Sequence, residues 1–528
     1  MSAPAARRRV RVGLARTRPD YEGLVAPFSP DRRYPELEEL WGVDAGDGVA
    51  GSNHVYAAVR SALVGAGLDE ARFGTAAWNP LGALVSPGAR IVLKPNFIRH
   101  WNPCDAGTLD SVVTHGSVLR AVADYAWLAV GAEGSVVLAE APQHDCDWDL
   151  VAKHAGVDAL VEFYAERLGR TLEVIDLRRE RVRYQDGVIV ERIELPGDPA
   201  GYRLVDLGAH SAFAASGLDP KRFRGADYDV GPTTDHHTGG KHEYLLSESV
   251  LSCDLVVNLP KLKTHKKTGV TLALKNLVGI NGDKNLLPHH CVGGADEGGD
   301  EFPGRSPADR LRSRATEIAR KFLAKGIGTR VVRAVRRAED AARGSDFIRS
   351  GNWHGNQTTW RMCLDLNRIL YYSDAAGEHF DAAEPVRTVL TVIDGVVAGE
   401  GEGPLAPTDR PLGAVLASTD PLAVDLAAVE LMGFDAAQLP KLDGAMRDSG
   451  LRVTSVRERG DVEVVEVCDE MRPGSEGASD WSSESLVLES LRADEPFIAH
   501  PGWRGQVEFE RAPQGSRVRT AEAATCAE

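Results

Sequence analysis

Short apolar runs rich in β-branched residues recur along the chain, and each of them ends in a polar segment. Runs of this length, bounded by polar residues, are typical of strands in the core of a largely parallel sheet. The predicted strands are ARIVLKPNF, GSVVLAEAP, TLEVIDL, CDLVVNLPK, RTVLTVIDG and LGAVLAST.

Segments with helical periodicity separate these runs. Residues 117–130 and 421–434 carry apolar positions spaced for a helix, and Pro421 suits a first helical turn capped by Asp420 or Thr419. Strand, loop and helix in alternation predict an α/β fold, with a mainly parallel sheet and flanking helices.

Changes in composition divide the chain further. We predict an N-terminal extension with the first helices at 1–84, the two halves of an α/β core at 85–304 and 351–470, a basic helical insertion at 305–350 and an irregular C-terminal tail at 471–528. Within the tail, PFIAHPGWRG can still dock on the core. The insertion is expected to pack one side inward, with a membrane surface, a polyanion or a lid over the site as alternatives. That inward side would consist of Leu311, Ile318, Phe322, Val331 and Val335.

Bulk properties exclude several classes of protein. The chain has 528 residues, 43% of them hydrophobic, which is enough for a large core. A net charge of -16 argues against a nucleic-acid partner. The seven cysteines are scattered and contain no Cys-x-x-Cys pair, so we expect no disulfide framework and a reducing, cytoplasmic setting. No apolar window approaches the length of a membrane span. The composition suggests a bacterial source, and the oligomeric state is left open.

Residues 254–290 form a basic stretch in this acidic chain. An apolar strand leads into six lysines, which are Lys261, Lys263, Lys266, Lys267, Lys275 and Lys284. Lys261 and Lys263 alternate with Leu262, so both ammonium groups can project from one side of an extended segment and attract an anion. The turn into TLALKN would add helix amides to that anion site. We expect Lys266 and Lys267 at the surface.

Several motifs resemble those of the domain of unknown function 362 family. They are VLKPNF, VTHGSVLRAV, VVLAEAP, NLPKLKTH, TLALKNLVGI, DGVVAGEGEGP and DPLAVDLAAVELMGFD, in this order and within residues 85–440. The resemblance implies a connection with cell-surface glycan or specialised metabolism, and it names no reaction. Some relatives carry appended ferredoxin-type cysteine runs that this chain lacks, so we expect no iron–sulfur cluster.

Candidate site residues follow the predicted strands, because ligands of open α/β sheets bind beyond the carboxyl ends of the strands. The DGVVAGEGEGP loop places three carboxylates among glycines and suits a divalent metal such as Mg²⁺, Mn²⁺ or Ca²⁺, although a flexible acidic turn would look the same. The histidines between residues 236 and 354 could instead ligate Zn²⁺, Fe²⁺ or Ni²⁺ together with a carboxylate. The predicted site consists of the catalytic residues His265, Lys263 and His289, the substrate-binding residues Lys94, Asn96, Lys261, Thr271, Lys275, Asn276 and His354, and the metal ligands Asp394, Glu400 and Glu402.

This inventory favours a metal-assisted enzyme that acts on an anionic small molecule, phosphorylated or carboxylated. Two reaction types remain open: hydrolysis or transfer at a phosphoryl group, and proton abstraction beside a carboxylate, as in an isomerase or lyase. In either reaction His265 would move a proton near its ordinary pKa of about 6.5. The alternative is a non-catalytic anion-binding, cofactor-binding or redox accessory protein.

Overall fold

The computed structural model describes residues 9–41, 52–304, 306–328, 330, 333, 348–374, 377–378, 382, 384–448, 450–470 and 480–509. Its strands, in chain order, are β1 (Val10–Arg16), β2 (Arg90–Pro95), β3 (Ser135–Glu140), β4 (Glu173–Asp176), β5 (Glu180–Gln185), β6 (Val188–Glu194), β7 (Tyr202–Asp206), β8 (Phe223–Arg224), β9 (Glu243–Ser247), β10 (Leu255–Leu259), β11 (Lys261–His265), β12 (Gly269–Val270), β13 (His290–Cys291), β14 (Val389–Glu402), β15 (Ala406–Ser418), β16 (Val462–Glu470) and β17 (Asp480–Leu486). Its α-helices are α1 (Glu38–Trp41), α2 (Val55–Gly65), α3 (Gly116–Val130), α4 (Trp148–His154), α5 (Val157–Leu168), α6 (Gly231–His237), α7 (Glu248–Leu251), α8 (Leu272–Asn276), α9 (Pro307–Ala324), α10 (Thr359–Tyr372), α11 (Pro421–Leu431) and α12 (Pro440–Arg447).

A mixed sheet of eleven strands forms the centre of the described chain. Its main path runs β17-β16-β1-β15-β14-β10-β2-β3-β4, and β11 joins it beside β14. The strands from β14 to β4 along this path are mutually parallel, whereas β15 is antiparallel to both β14 and β1. The predicted α/β fold with a mainly parallel sheet is therefore confirmed.

The apolar runs and helical patterns of the sequence become the central elements of this fold. All six predicted strands are present, as β2, β3, β4, β10, β14 and β15. Helices α3 and α11 lie where the periodicity predicts them, and Asp420 caps α11 by accepting hydrogen bonds from the backbone of Leu422 and Ala423 at 3.1 and 3.0 Å. No helix in the described ranges is both long and apolar enough to cross a bilayer.

Two segments that the sequence presents as loops are strands. The lysine-rich residues 261–265 form β11, and the acidic glycine-rich segment continues β14 as far as Glu402. The two strands run side by side, with Lys261 opposite Asp394 and Lys263 opposite Gly399. A Cβ atom at position 399 would lie 2.8 Å from the Ser111 carbonyl oxygen and 3.0 Å from Lys263 Cβ. The glycine therefore serves close strand packing.

The inward packing predicted for the basic insertion is wrong where the structure describes it. On α9 the side chains of Leu311, Ile318 and Phe322 are 70, 57 and 51% exposed. The inward face of this helix is largely polar instead, because Glu317 pairs with Arg224 and Ser313 donates to Glu301, although Leu323 is also buried. Val331 and Val335 lie outside the described residues.

Part of the C-terminal region is ordered against the core. Strand β17 pairs with β16 at the edge of the sheet. In the PFIAHPGWRG segment, the Ile498 backbone donates to Glu400 at 2.9 Å and Trp503 Nε1 donates to the Lys266 carbonyl at 2.7 Å. Residues 471–479 and 510–528 of the predicted tail lie outside the described residues.

Candidate functional site

A cavity of about 340 Å³ lies at the carboxyl ends of β2, β3 and β11. It occupies the place where an open α/β sheet ordinarily binds its ligand. Four lysines and four histidines line it, with Glu140 as the one carboxylate among the described lining residues. The basic lining residues are Lys266, Lys267, Lys275, Lys284, His144, His265, His289 and His290.

The single carboxylate of the cavity is already neutralised. Glu140 forms a buried ion pair with Lys94, whose ammonium group also donates to the Pro95 carbonyl at 2.8 Å. Burial raises the pKa of Glu140, and the Lys94 charge acts in the opposite direction. A side chain at Gly279 would overlap Glu140 and Lys94, so glycine is required for this close packing. The four lining lysines are therefore not balanced by a free carboxylate.

Two of these lysines are held by backbone carbonyls, which carry no charge. Lys284 Nζ donates to the Ala141 carbonyl at 2.7 Å, and Lys267 Nζ donates to the carbonyls of His289 and Ser350. Burial lowers the pKa of each to about 7. The side chains of Lys275 and Lys266 have no hydrogen-bond or ion-pair partner among the described residues, and burial lowers their pKa as well. An anion in the cavity would satisfy all four.

Hydrogen bonds fix the tautomers of two lining histidines. His265 Nδ1 accepts from the backbone of Lys267 at 3.0 Å and of Thr268 at 3.2 Å, so its proton sits on Nε2. His289 Nδ1 lies 2.8 Å from the Leu287 carbonyl and must donate to it, which leaves its Nε2 as an acceptor. Burial lowers the pKa of His289 to about 3 and that of His265 well below its ordinary value. Neither ring titrates near 6.5, contrary to the pKa expected for His265 as a proton carrier.

A chain of amide hydrogen bonds forms one wall of the cavity. Lys263 Nζ donates to Asn96 Oδ1 at 2.9 Å, Asn96 Nδ2 donates to Asn276 Oδ1 at 2.6 Å, and Asn276 Nδ2 donates to Asn258 Oδ1 at 2.8 Å. Asn96 and Asn276 line the cavity, whereas Lys263 lies behind them. Burial and the Lys261 charge lower the pKa of Lys263 well below its ordinary value.

Lys261 and the three predicted metal ligands lie away from the cavity. Lys261 pairs with Asp394 at 3.0 Å, and the same carboxylate accepts from Tyr21 and from the His115 backbone. Because β11 and β14 are neighbours, these charges neutralise each other and do not form opposite walls of a site. The described residues contain no group of three or more His, Cys, Asp or Glu side chains placed to hold a metal. The metal ligands Asp394, Glu400 and Glu402 gain no geometric support and stay a prediction.

Two other predicted binding residues, Thr271 and His354, do not line the cavity. Thr271 precedes α8, and the α8 amides of Ala273 and Leu274 donate to Asp425 at 2.6 and 3.2 Å. These amides are consequently unavailable to a cavity anion, contrary to the expectation from TLALKN. His354 Nε2 lies 3.0 Å from the Gln438 carbonyl and is not a lining residue.

Of the predicted catalytic and substrate-binding residues, the cavity brings together five: His265, His289, Asn96, Lys275 and Asn276. Lys266 and Lys267, expected at the surface, line it instead, together with Lys284, His290 and Glu140, which were not chosen. The density of lysines and histidines in residues 254–290 is the signal in the sequence that points to these lining residues. The sequence does not show which lysines of that stretch meet a distant carboxylate, as Lys261 meets Asp394.

Comparisons with known proteins agree with the motifs of the sequence. The Thylakoid-associated protein sll1697 of Synechocystis sp. is 24% identical to this chain over 234 residues, which are 44% of this chain and 47% of that protein. The chain thus spans about half the length of this curated relative. No solved structure matches the chain. The model of the family described as Domain of unknown function (DUF362) matches residues 196–430. This match confirms, over residues 196–430, the resemblance to this family that the motifs in the sequence indicate.

Proposed function

We propose that the cavity binds an anionic small molecule, phosphorylated or carboxylated, and that the protein is an enzyme acting on it. The supporting observation is the charge of the lining. Among the described lining residues four are lysines, and the one carboxylate, Glu140, is held by Lys94. Partly buried cations without counter-charges are costly, and a bound anion would remove that cost.

Proton transfer is the chemistry that these residues favour. A group with a pKa near neutrality can both take and return a proton, and Lys267 and Lys284 have a pKa of about 7. Lys275 and Lys266 would hold anionic groups of the ligand, and His265 Nε2 would donate to an oxygen of the ligand. Of the two reaction types, proton abstraction next to the anionic group therefore fits better than phosphoryl transfer.

Isothermal titration with inorganic phosphate and with malonate, both in the presence of EDTA, tests the anion site. Lys275→Met removes an ammonium group that has no protein partner, so the fold should persist. We expect affinity to fall about tenfold to a hundredfold, which corresponds to the ~1.5–3 kcal/mol of a charged hydrogen bond. Lys153→Met, on the exposed side of α4, is the matched control. Absence of binding, or equal binding by Lys275→Met and wild type, would contradict the proposal.

Catalysis is distinguished from binding alone by isotope exchange. Anions that bind in the titration would be incubated with the protein in D₂O, and NMR would follow loss of the C–H signal beside the anionic group. Exchange that disappears in Lys267→Met or Lys284→Met supports the enzyme. Binding without exchange for every such anion supports the alternative, a non-catalytic anion- or cofactor-binding protein.

A divalent cation at Asp394, Glu400 and Glu402 is a separate proposal, on which the proton transfer does not depend. It is supported by the three carboxylates on β14 and opposed by the Lys261 partner of Asp394. Metal analysis of protein purified without chelators, repeated on Glu400→Gln, tests it. An ion that copurifies with wild type and is lost from the variant would support the metal.

A second candidate function is association with an anionic membrane surface, favoured by the exposed face of α9. Leu311, Ile318 and Phe322 share this face with Arg314 and Lys321, all exposed. Basic amphipathic helices bind anionic bilayers through this combination. The name of the Synechocystis relative, a thylakoid-associated protein, agrees with such a role. The cytoplasmic location predicted from the cysteines is likewise a proposal.

Flotation with phosphatidylglycerol vesicles tests the surface role. Wild type should float with these vesicles and not with phosphatidylcholine alone, and Phe322→Ser should float less. Equal behaviour of the two lipids would contradict the proposal.

A further inference from the structure

The four lining lysines divide into two pairs that belong to different walls of the cavity. Lys284 is held at the Ala141 carbonyl, directly after β3, and Lys275 projects from α8. We refer to Lys275 and Lys284 as the β3-side lysines. Lys266 and Lys267 directly follow β11, and the Lys267 ammonium is held by the carbonyls of His289 and Ser350. These two are the β11-side lysines.

The charges that act on the pKa of each lysine agree with this division into two pairs. Besides burial, the Lys266 charge contributes to the lowered pKa of Lys267, and the Lys275 charge contributes to that of Lys284. His289 is affected by members of both pairs, namely Lys267, Lys275 and Lys284. The imidazole of His289 is therefore within electrostatic reach of both pairs.

The size of the cavity favours a ligand larger than a lone phosphate. At the roughly 30 Å³ that one water occupies in the liquid, a cavity of about 340 Å³ has room for about ten groups of that size. A phosphate has five heavy atoms. Lys284 is anchored to the Ala141 carbonyl and Lys267 to the carbonyls of His289 and Ser350, which favours a separate anionic group for each lysine.

Between the lysine pairs the cavity offers neutral hydrogen-bonding groups. His265 presents an Nε2–H donor and His289 an Nε2 acceptor, and Asn96 and Asn276 also line the cavity. A hydroxyl or carbonyl group on the ligand can bond to such groups without carrying charge.

We infer that the ligand carries two anionic groups, one for each lysine pair, joined by a short segment that bears a hydroxyl or carbonyl group. This inference rests on the proposed anion site and specifies its substrate class. Both anionic groups can be phosphate or carboxylate, because an ammonium group accepts either.

A matched pair of probes tests the inference on the intact protein. Glycerol 3-phosphate carries one anionic group, and 3-phosphoglycerate has the same three-carbon frame with a carboxylate in place of the terminal CH₂OH group. In calorimetric titrations with EDTA present, we expect 3-phosphoglycerate to bind at least tenfold more tightly than glycerol 3-phosphate. Equal affinities for the two probes would overturn the two-anion inference and leave the anion site standing, whereas binding of neither probe nor of inorganic phosphate would overturn both.

Two variants then locate the second anionic group. Lys266→Met and Lys275→Met each remove one cation, from opposite pairs, and neither breaks a hydrogen bond among the described residues. Lys275→Met, which is expected to weaken phosphate binding, should weaken both probes. Lys266→Met should abolish the advantage of 3-phosphoglycerate and should weaken glycerol 3-phosphate less than Lys275→Met does. Two variants that weaken both probes equally would show a single anion position and overturn the inference. Thermal unfolding of each variant checks that it is folded.

Discussion

Lys267 and Lys284 lie in the cavity with a pKa of about 7, so a bound anion must change their protonation. An anion beside an amine favours its charged form and raises its pKa towards the ordinary value of about 10.4. Anion binding at about pH 8 should therefore take up protons, and affinity should fall as the pH rises from about 7 to 9.

Titration calorimetry in two buffers of different ionisation enthalpy measures this uptake directly. The observed enthalpy should differ between the buffers for wild type, and the difference should shrink in Lys284→Met. Identical enthalpies in both buffers would show that the lysines keep their protons in the empty cavity.

Substitution of Asp394 tests whether this carboxylate stabilises the fold or binds a metal. Its partner Lys261 is fully buried, and removal of one member of a buried ion pair costs about 3–5 kcal/mol because the other charge remains uncompensated. We expect Asp394→Asn to lower the free energy of unfolding by about this amount, measured by urea denaturation. The double variant with Lys261→Met should recover part of the loss. A stable Asp394→Asn protein that no longer responds to Mn²⁺ would instead identify a metal ligand.

At the scale of elements, the apolar strands could be predicted and the polar ones could not. Strands β2, β3 and β10 are buried apolar runs, which the sequence shows directly. Strand β11 consists of KLKTH, and its lysines become buried because β14 supplies Asp394 and the loop after β2 supplies Asn96. Those partners lie more than 100 residues away in the chain. Sequence periodicity therefore predicts a loop, while tertiary contacts produce a strand.

Helix α8 carries Lys275 into the cavity, and Asp425 of α11 holds the start of this helix. Asp425→Asn leaves one of the two amides, on Ala273 or Leu274, without a good acceptor. Asp425 also pairs with the buried Lys441 at 3.9 Å, so we expect the free energy of unfolding to fall by about 3–5 kcal/mol. Because Lys275 then loses its fixed position, anion affinity should weaken by about fivefold or more.

The control for this variant is Asp420→Asn. Asp420 caps α11, the helix that also carries Asp425. Asp420 is also buried but does not line the cavity, so its variant should lose stability and keep the anion affinity of wild type. Equal losses of affinity in both variants would mean that the effect is general loosening and not the displacement of α8.

For the whole molecule, the buried amine of Lys284 makes stability depend on pH in an unusual direction. Its pKa is about 7 in the folded chain and about 10.4 when unfolded, so between these values the unfolded state binds more protons. Stability must then rise with pH, by about 1.4 kcal/mol per pH unit for this one group, and this gain is lost as the pH falls to about 7. Urea unfolding at pH 7, 8 and 9 in phosphate-free buffer measures the slope. Lys284→Met should reduce the slope by about 1.4 kcal/mol per pH unit, because Lys267, whose pKa is also about 7, keeps its own contribution. A bound anion should flatten the slope in wild type, because the anion restores the charge that burial removes. Equal slopes for wild type and Lys284→Met would show that Lys284 remains charged in the folded protein.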